Sequence, residues 1–455
     1  MVDPKFQEIQ NQSQDSAVKQ EKQVQKDLSQ YLSKYGGFFA VKSFIPDAED
    51  MNPAKKAAKS IFLTEQRFKE KRERLISELN GWLEILSEDR QSAYEYAELC
   101  KDKEKVYQDL LNQGITEALE ASKNLEISYR TLDTFYKNAS TDKLENLKII
   151  NVNKEDLEDP NSDFSAMMDQ LLKNAFDRLS LKDSYSILVI PGNVFKNKPT
   201  LLKWAKIAFK YKVLLITDHD NEYSFEDLRD NTRSYKDSDQ ELQNVIMTAN
   251  WIAGRESEKL SFVEQDDIAF FIPPSGALAG KLYDESANMA QSAGGKKYGT
   301  LNEITGVKLD LLKSEIASLW DNQVVPIVFS EGRVMAFNNT NLYNGDNTAM
   351  KEYPIVRVFD WVKKVLMNYV HEIALENWDP YNSPDNLKAK IQDFLNDYQG
   401  HGKLFQKYEI KEPKQDPKTK RITVDVNITP FFAAKNFIIK LAADKTNKEC
   451  EITEK

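Results

Sequence analysis

The sequence predicts a mixed α/β chain, α+β in overall order, with a helical N-terminal region, a central α/β domain and a C-terminal pair of strands. Three patterns carry that expectation. From about Asn52 to Lys137 apolar residues recur at helical spacing amid dense charge, Tyr185 to Thr217 reads strand, helix, strand, and Ile422 to Leu441 alternates apolar with polar residues. The expected segments are an arm and linker over 1–51, a charged helical region over 52–145, an α/β domain over 146–265 and a final region over 266–455. A chain of 455 residues holds roughly three domains by the usual size.

The arm is rich in Gln, Lys, Asp and Ser. Val18, Val24, Leu28 and Leu32 are its candidates for a helical stripe, and a partner-docking helix or a solvated tail both fit them. Phe38, Phe39 and Val41 then form a short apolar patch in a polar setting, which needs somewhere to go. The first residues lack the apolar core of a signal peptide, and no apolar run approaches the roughly 20 residues of a membrane-spanning helix. A cytoplasmic protein without membrane insertion is expected. With 62 Lys and Arg against 72 Asp and Glu, the net charge of -10 argues against nucleic acid as the main partner. Cys100 and Cys450 stand far apart without CxxC spacing, so neither a disulfide framework nor a zinc site is indicated.

In the helical region Leu75, Leu79, Trp82, Leu83 and Leu86 fall on one side of a helix, and Val106, Leu110, Leu111 and Leu119 continue the theme, with Gly114 expected to interrupt or kink it. Lys148 to Val152 is a candidate strand, and Phe164 to Leu179 resumes a helical pattern. Tyr185 to Ile190, stopped by Pro191 and Gly192, reads as a buried strand; Leu201, Trp204, Ala205, Ala208 and Phe209 make a helical stripe; Lys212 to Thr217 is a second buried strand. That βαβ unit requires parallel strands.

Asp218, His219 and Asp220 follow at the carboxyl end of the second strand, where open α/β sheets place ligands. An acid/base or metal site there would make the chain an α/β enzyme; a turn or helix cap is the plainer reading. Two other motifs fail. Gly276 to Lys281 is one residue short of a phosphate loop and lacks the Ser or Thr after Lys, and His371-Glu372 is followed by Leu375 where a zinc helix needs its second histidine. The residues point to no catalytic group, metal or cofactor.

At the C-terminal end Ile422, Val424, Val426 and Ile428 alternate with Thr423, Asp425, Asn427 and Thr429, Pro430 ends the run, and Phe437, Ile439 and Leu441 repeat the period of two. The expectation is a strand, a corner and a second strand. Such a pair is marginal alone and leaves edge N–H and C=O groups that neighbouring chains could pair with, although an ordinary hairpin closing its own sheet gives the same pattern.

From Ile268 the chain reads IAFFIPPSGALAGKLYD, followed by Leu301 to Val307, a helix around Leu311 to Leu319, a hairpin of Gln323 to Phe329 with Arg333 to Phe337, and Tyr353 to Trp361 with Arg357. In the order of these pieces it resembles the contractile tail sheath proteins of phages and type VI secretion systems. The capped helix that opens at Ser383 and the strands of Ile422 to Leu441 are similar to that family's C-terminus. The charged helical N-terminal part and the short chain favour the large (TssC-like) subunit of a type VI sheath over a phage or phage-like tail sheath protein, which stays as the alternative.

That resemblance implies a contractile tail sheath fold whose C-terminal strands are completed by strands of neighbouring subunits. It implies a structural role without nucleotide hydrolysis, self-assembly into a helical polymer with a small sheath subunit (TssB-like) around inner tube hexamers (Hcp-like), release by a baseplate, and recycling by an AAA+ unfoldase. Val424, Val426, Ile428, Phe437, Ile439 and Leu441, with Phe38, Phe39 and Val41 of the arm, are then the candidates for inter-subunit strand linkage. The wet face of the capped helix, Asp385, Lys388, Lys390, Asp393 and Asp397, is the candidate tube-facing surface, and Val18, Val24 and Leu28 the candidate unfoldase-docking residues.

Overall fold

The structure, a computed structural model, describes residues 61–453 apart from 90–91, 145, 160, 179, 196, 255–269, 285–287, 373–377, 380–381, 417, 434–437 and 443–448. The described residues up to Ala118 form one compact unit and those from Leu119 onward another.

The first unit holds α1 (Lys69–Ser87) and the opening of α2 (Ala93–Asn138). Lys103 Nζ meets Glu84 Oε1 at 2.7 Å, and the Tyr96 hydroxyl donates to Glu88 O at 2.6 Å, which ties the two helices together. No residue of α1 is buried. Its predicted stripe is split: Leu79, Leu83 and Leu86 are half-buried while Leu75 and Trp82 are exposed, since a two-helix hairpin offers each helix a single interface. Gly114 does not interrupt α2, which runs unbroken for 46 residues. A lone glycine costs a helix only about 1 kcal/mol against alanine, and helix formers surround it.

The second unit is organised on a five-stranded sheet in the order β1-β2-β3-β6-β7. Its strands are β1 (Ile187–Ile190), β2 (Leu214–Asp218), β3 (Val245–Ala249), β6 (Val325–Ser330) and β7 (Arg333–Ala336). β1, β2, β3 and β6 run parallel, and β7 closes a hairpin antiparallel to β6. Between them lie β4 (Ile252–Ala253) and β5 (Phe271–Ile272), an antiparallel pair. Leu214, Ile216 and Ile246 face one core while Leu215, Val245 and Met247 face the other, so the strands are apolar on both sides as a covered parallel sheet requires.

Helices α3 (Lys154–Glu158), α4 (Asp163–Phe176), α5 (Lys198–Lys210) and α6 (Phe225–Thr232) precede β3. The Asn197 side chain caps α5 by accepting from Thr200 N at 2.9 Å, with Pro199 in the first turn. Lys148 to Val152 is not a strand: no ladder partner lies beside it among the described residues, and Leu147 and Ile149 are exposed. After β5 come α7 (Ser275–Lys281), α8 (Gly295–Tyr298) and α9 (Lys313–Asp321).

Helix α10 (Tyr353–Glu372) begins at Tyr353, so the stretch from Tyr353 to Trp361 is helix throughout, with Pro354 free to occupy the first turn. Tyr353 is buried under the sheet, while Val358 and Val362 belong to a third apolar cluster with Leu387, Ile391 and Leu395 of α11 (Ser383–Asn396). Polar contacts pin α10 to the base of the sheet. Asp360 accepts from Asn244 Nδ2 at 2.6 Å, and Lys364 Nζ donates to Tyr185 O at 2.7 Å, where burial lowers its pKa to about 8.

Candidate assembly surface

The third cluster is roofed by a two-stranded sheet of β8 (Phe405–Ile410) and β11 (Val426–Pro430), antiparallel, with Val426 opposite Ile410 and Ile428 opposite Tyr408. Short strands β9 (Lys414–Gln415) and β10 (Ile422–Thr423) extend the same hairpin to a turn, where Asp416 N donates to Arg421 O and Lys420 N to Asp416 O, both at 2.8 Å. The predicted alternation holds over its middle, where Val424, Val426 and Ile428 are half-buried against the cluster while Asp425 and Asn427 are exposed, but Ile422 is exposed and Thr429 half-buried. The Tyr408 hydroxyl fastens the sheet to α11 through Gln392 O at 3.2 Å and Asn396 Oδ1 at 2.7 Å.

Strand pairing departs from the expectation. The Ile422 to Ile428 stretch folds back onto 405–415 rather than forward past Pro430 onto the next strand. That next strand, β12 (Ile438–Ala442), contains Ile439 and Leu441 and pairs with β13 (Glu449–Thr453), Leu441 standing opposite Cys450. A tight polar turn built on Asp416 closes the backward hairpin, with its carboxylate taking Lys418 N at 2.9 Å and Thr419 Oγ1 at 2.7 Å. Phe437 lies outside the described residues, as do Phe38, Phe39, Val41, Val18, Val24 and Leu28.

Which backbone groups remain unpaired follows from the register. Lys411 N donates to Asp425 O at 3.0 Å, so 411 with 425, 409 with 427 and 407 with 429 are the hydrogen-bonded pairs. Val426 and Ile428 on one edge, and Tyr408 and Ile410 on the other, therefore turn their N–H and C=O groups away from the partner strand. Residues 399–400 cover the second edge only at Phe405, where Gly400 N donates to Phe405 O at 3.0 Å. No third strand joins the pair among the described residues.

On α11 the buried side is Leu387, Ile391 and Leu395. Asp385, Lys390, Asp393 and Asp397 are exposed and Lys388 is half-exposed, so the five lie on the wet face as predicted.

Asp218 proves to be a structural knot. It is buried, and both carboxylate oxygens are engaged: Oδ1 accepts from Ser275 N at 2.8 Å and Thr248 Oγ1 at 2.5 Å, Oδ2 from Gly192 N at 2.8 Å and Ser275 Oγ at 2.6 Å. Burial nevertheless raises its pKa to about 6. His219 is also buried, its ring edge against Tyr235, and burial lowers its pKa. Asp220 bonds locally, accepting from Asn221 N at 3.3 Å. Four donors on Asp218 leave no lone pair aimed at a substrate, and no metal-binding group of three acidic, His or Cys side chains occurs among the described residues.

Two features escaped the sequence reading. β8 did so because a bulge at Thr429 and Pro430 breaks its period: Phe405, Tyr408 and Ile410 face inward at spacings of three and then two. Arg357 stands within the Tyr353 to Trp361 motif, but its contacts, Leu282 O at 2.8 Å and the Tyr283 ring at 5.6 Å, lie about 75 positions away.

Three family models match the chain, all TssC/VipB of the type VI secretion system: the N-terminal region over 24–115, the central domain over 117–344 and the C-terminal domain over 352–455. Among curated proteins nothing matches. Solved structures that are similar include the contracted helical sheath of the anti-feeding prophage, at 12% identity over 69% of this chain and 81% of that one with a TM-score of 0.48. Another is the contracted sheath complex of the extracellular contractile injection system PVC, at 14% identity, 68% and 86% coverage and a TM-score of 0.45. A third is the anti-feeding prophage baseplate, at 13% identity and a TM-score of 0.42, where the chain spans 66% of the chain it matches.

Proposed function

We propose, from the premise that this chain belongs to the TssC/VipB family and is a structural subunit of a type VI contractile sheath, that it co-polymerises with a small sheath subunit around an inner tube. Strands from neighbouring subunits add to the edges of the β8–β11 sheet, one at Val426 and Ile428 and the other at Tyr408 and Ile410. Main-chain hydrogen bonds then link subunits while the connecting segments swing. The arm carrying Phe38, Phe39 and Val41 is this chain's own contribution to a neighbour, and Ile439 and Leu441 take part from β12.

The single observation behind this reading is a helix-backed sheet that, among the described residues, stops at two strands, with Val426 and Ile428 on one edge and Tyr408 and Ile410 on the other turned away from their partner. Two-stranded sheets are marginal alone, and open edges are templates for pairing. In the same reading the mixed-charge face of α11 meets the tube, because such contacts hold in the resting state and break under load. The segment of Val18, Val24 and Leu28 is the handle for an AAA+ unfoldase, and a baseplate triggers release. A bias of a few kcal/mol per subunit, repeated along the polymer, stores the work of one stroke.

Coexpression with the small sheath subunit and negative-stain microscopy test this. Regular tubules are expected from the pair, and from a variant lacking residues 1–45 only broken or weakly linked ones. Tubules of undiminished strength from the truncated chain would refute the arm assignment.

A further inference from the structure

Helix α7 is where three parts of the second unit meet. Its N-terminus rests on the sheet, since Ser275 gives both its N–H and its hydroxyl to Asp218. Its C-terminus rests on α10, since Arg357 donates to Leu282 O at 2.8 Å and lies over the Tyr283 ring. Its flank rests on α2. A Cβ on Gly276 would stand 2.5 Å from Thr131 O, and one on Gly280 would stand 2.3 Å from Phe135 O, so main chain meets main chain and only glycine fits. An anionic group at the start and a cation at the end also match the helix dipole.

Arg357 is the unusual member. Its Nε is buried without a hydrogen-bond partner among the described residues, so this half-buried side chain is incompletely satisfied. An apolar side chain of like size at such a place is often neutral or stabilising for a fold. Stability alone therefore does not account for an arginine here. What the arginine does supply is a directional contact from α10 to the end of α7, and α10 runs on into the cluster that carries β8 and β11.

We propose that α7 is a second joint, beside the direct contacts of Asp360 and Lys364 with the base of the sheet, that sets the angle of the β8–β11 module relative to the central sheet, with Asp218 and Arg357 as its positioning residues. This rests on the sheath reading, in which a small error in the angle of α10 would displace both strand edges in every subunit and accumulate along the polymer.

The test uses the full chain coexpressed with the small sheath subunit, comparing the parent, Arg357→Met and Arg357→Lys. In Arg357→Met the amides of Leu278 to Leu282 are expected to exchange about tenfold faster or more, while those of Leu214 to Asp218 keep their protection. Regular tubules are expected to fall about tenfold, with the melting temperature of the free subunit shifted by no more than a few degrees. Arg357→Lys keeps a cation within reach of Leu282 O and should recover part of both. Parental exchange in α7, parental tubule counts, or a lysine variant no better than methionine would each overturn the proposal. Should Arg357→Met not fold, the parent decides: a joint must exchange its α7 amides as slowly as those of β2, and exchange there about tenfold faster sinks it. Absence of tubules from the parent pair would count against the sheath reading, whereas the exchange comparison still judges α7.

Discussion

Two of the β-sheets of the second unit, the central sheet and the β8–β11 pair, are built to opposite ends. The central sheet has apolar cores on both faces, a hairpin at one side, and a buried carboxylate that draws β2, β3, the turn after β1 and the start of α7 together. The β8–β11 sheet has one covered face and two strands, and among the described residues no third strand joins it. In the first, the buried Asp218 carboxylate finds four donors within the chain. In the second, backbone donors and acceptors stand ready for a partner from outside. On the proposed sheath reading, the first sheet serves as the body of the subunit and the second as its connector.

The largest effect separates the two directions in which β11 offers its N–H groups. Val426→Pro removes a donor that points away from β8, and Asn427→Pro removes one that points at it. The first should leave the melting curve of the free subunit nearly unchanged yet abolish tubules in microscopy. The second should lower the melting temperature of the subunit itself. Equal behaviour of the two variants would break the register argument and with it the contrast between the sheets.

Next is the knot of the central sheet. Asp218→Asn puts an amide where four donors converge, and denaturant titration should find the chain about 3–4 kcal/mol less stable. Alanine at Asp218, His219 and Asp220 together should likewise lower stability. An α/β enzyme would instead lose an activity with stability and assembly intact.

The pH dependence of that knot has a definite sign. An unfolded aspartate titrates near 3.9, whereas burial puts Asp218 at about 6 in the folded chain. Between these values the folded state binds the proton more tightly than the unfolded one. Stability from this group therefore falls as pH rises from about 4 to about 6, by up to about 3 kcal/mol in all. Denaturant titrations across that window should show the slope, and Asp218→Asn should remove it. A parent whose stability rose through the same window at a rate unaffected by that substitution would contradict the burial argument.

The smallest change in subunit stability is expected on α11. Asp393→Lys alters an exposed charge on the wet face and should shift stability by no more than about 0.5 kcal/mol. If that face meets the tube, sheath assembled around tubes should nevertheless become scarcer in microscopy. Unchanged yield would leave α11 an ordinary solvated helix.

Much of this was legible from residues alone. The βαβ unit, the stripe of α11 and the alternation of Val424, Val426 and Ile428 all express a local period, and a period survives without knowing its partner, whereas the hairpin of β6 and β7 was expected from the family resemblance. What stayed illegible needed contacts distant in sequence or a break in the period. The bulge hid β8, Gly114 looked like a break in a helix that passes through it, and the acidic residue at the end of β2 resembled a reactive group until its four donors were in place.

The sequence by itself determined which stretches are apolar on one face, on both or on neither, because side-chain transfer from water is a property of each residue and its spacing. Tertiary structure alone decided which strand β11 pairs with, that Gly276 and Gly280 bring α7 against the backbone of α2, and that Asp218 and Arg357 hold the two ends of one short helix. Those outcomes depend on hydrogen-bond geometry and close approach between segments far apart in the chain, and no local pattern carries that information.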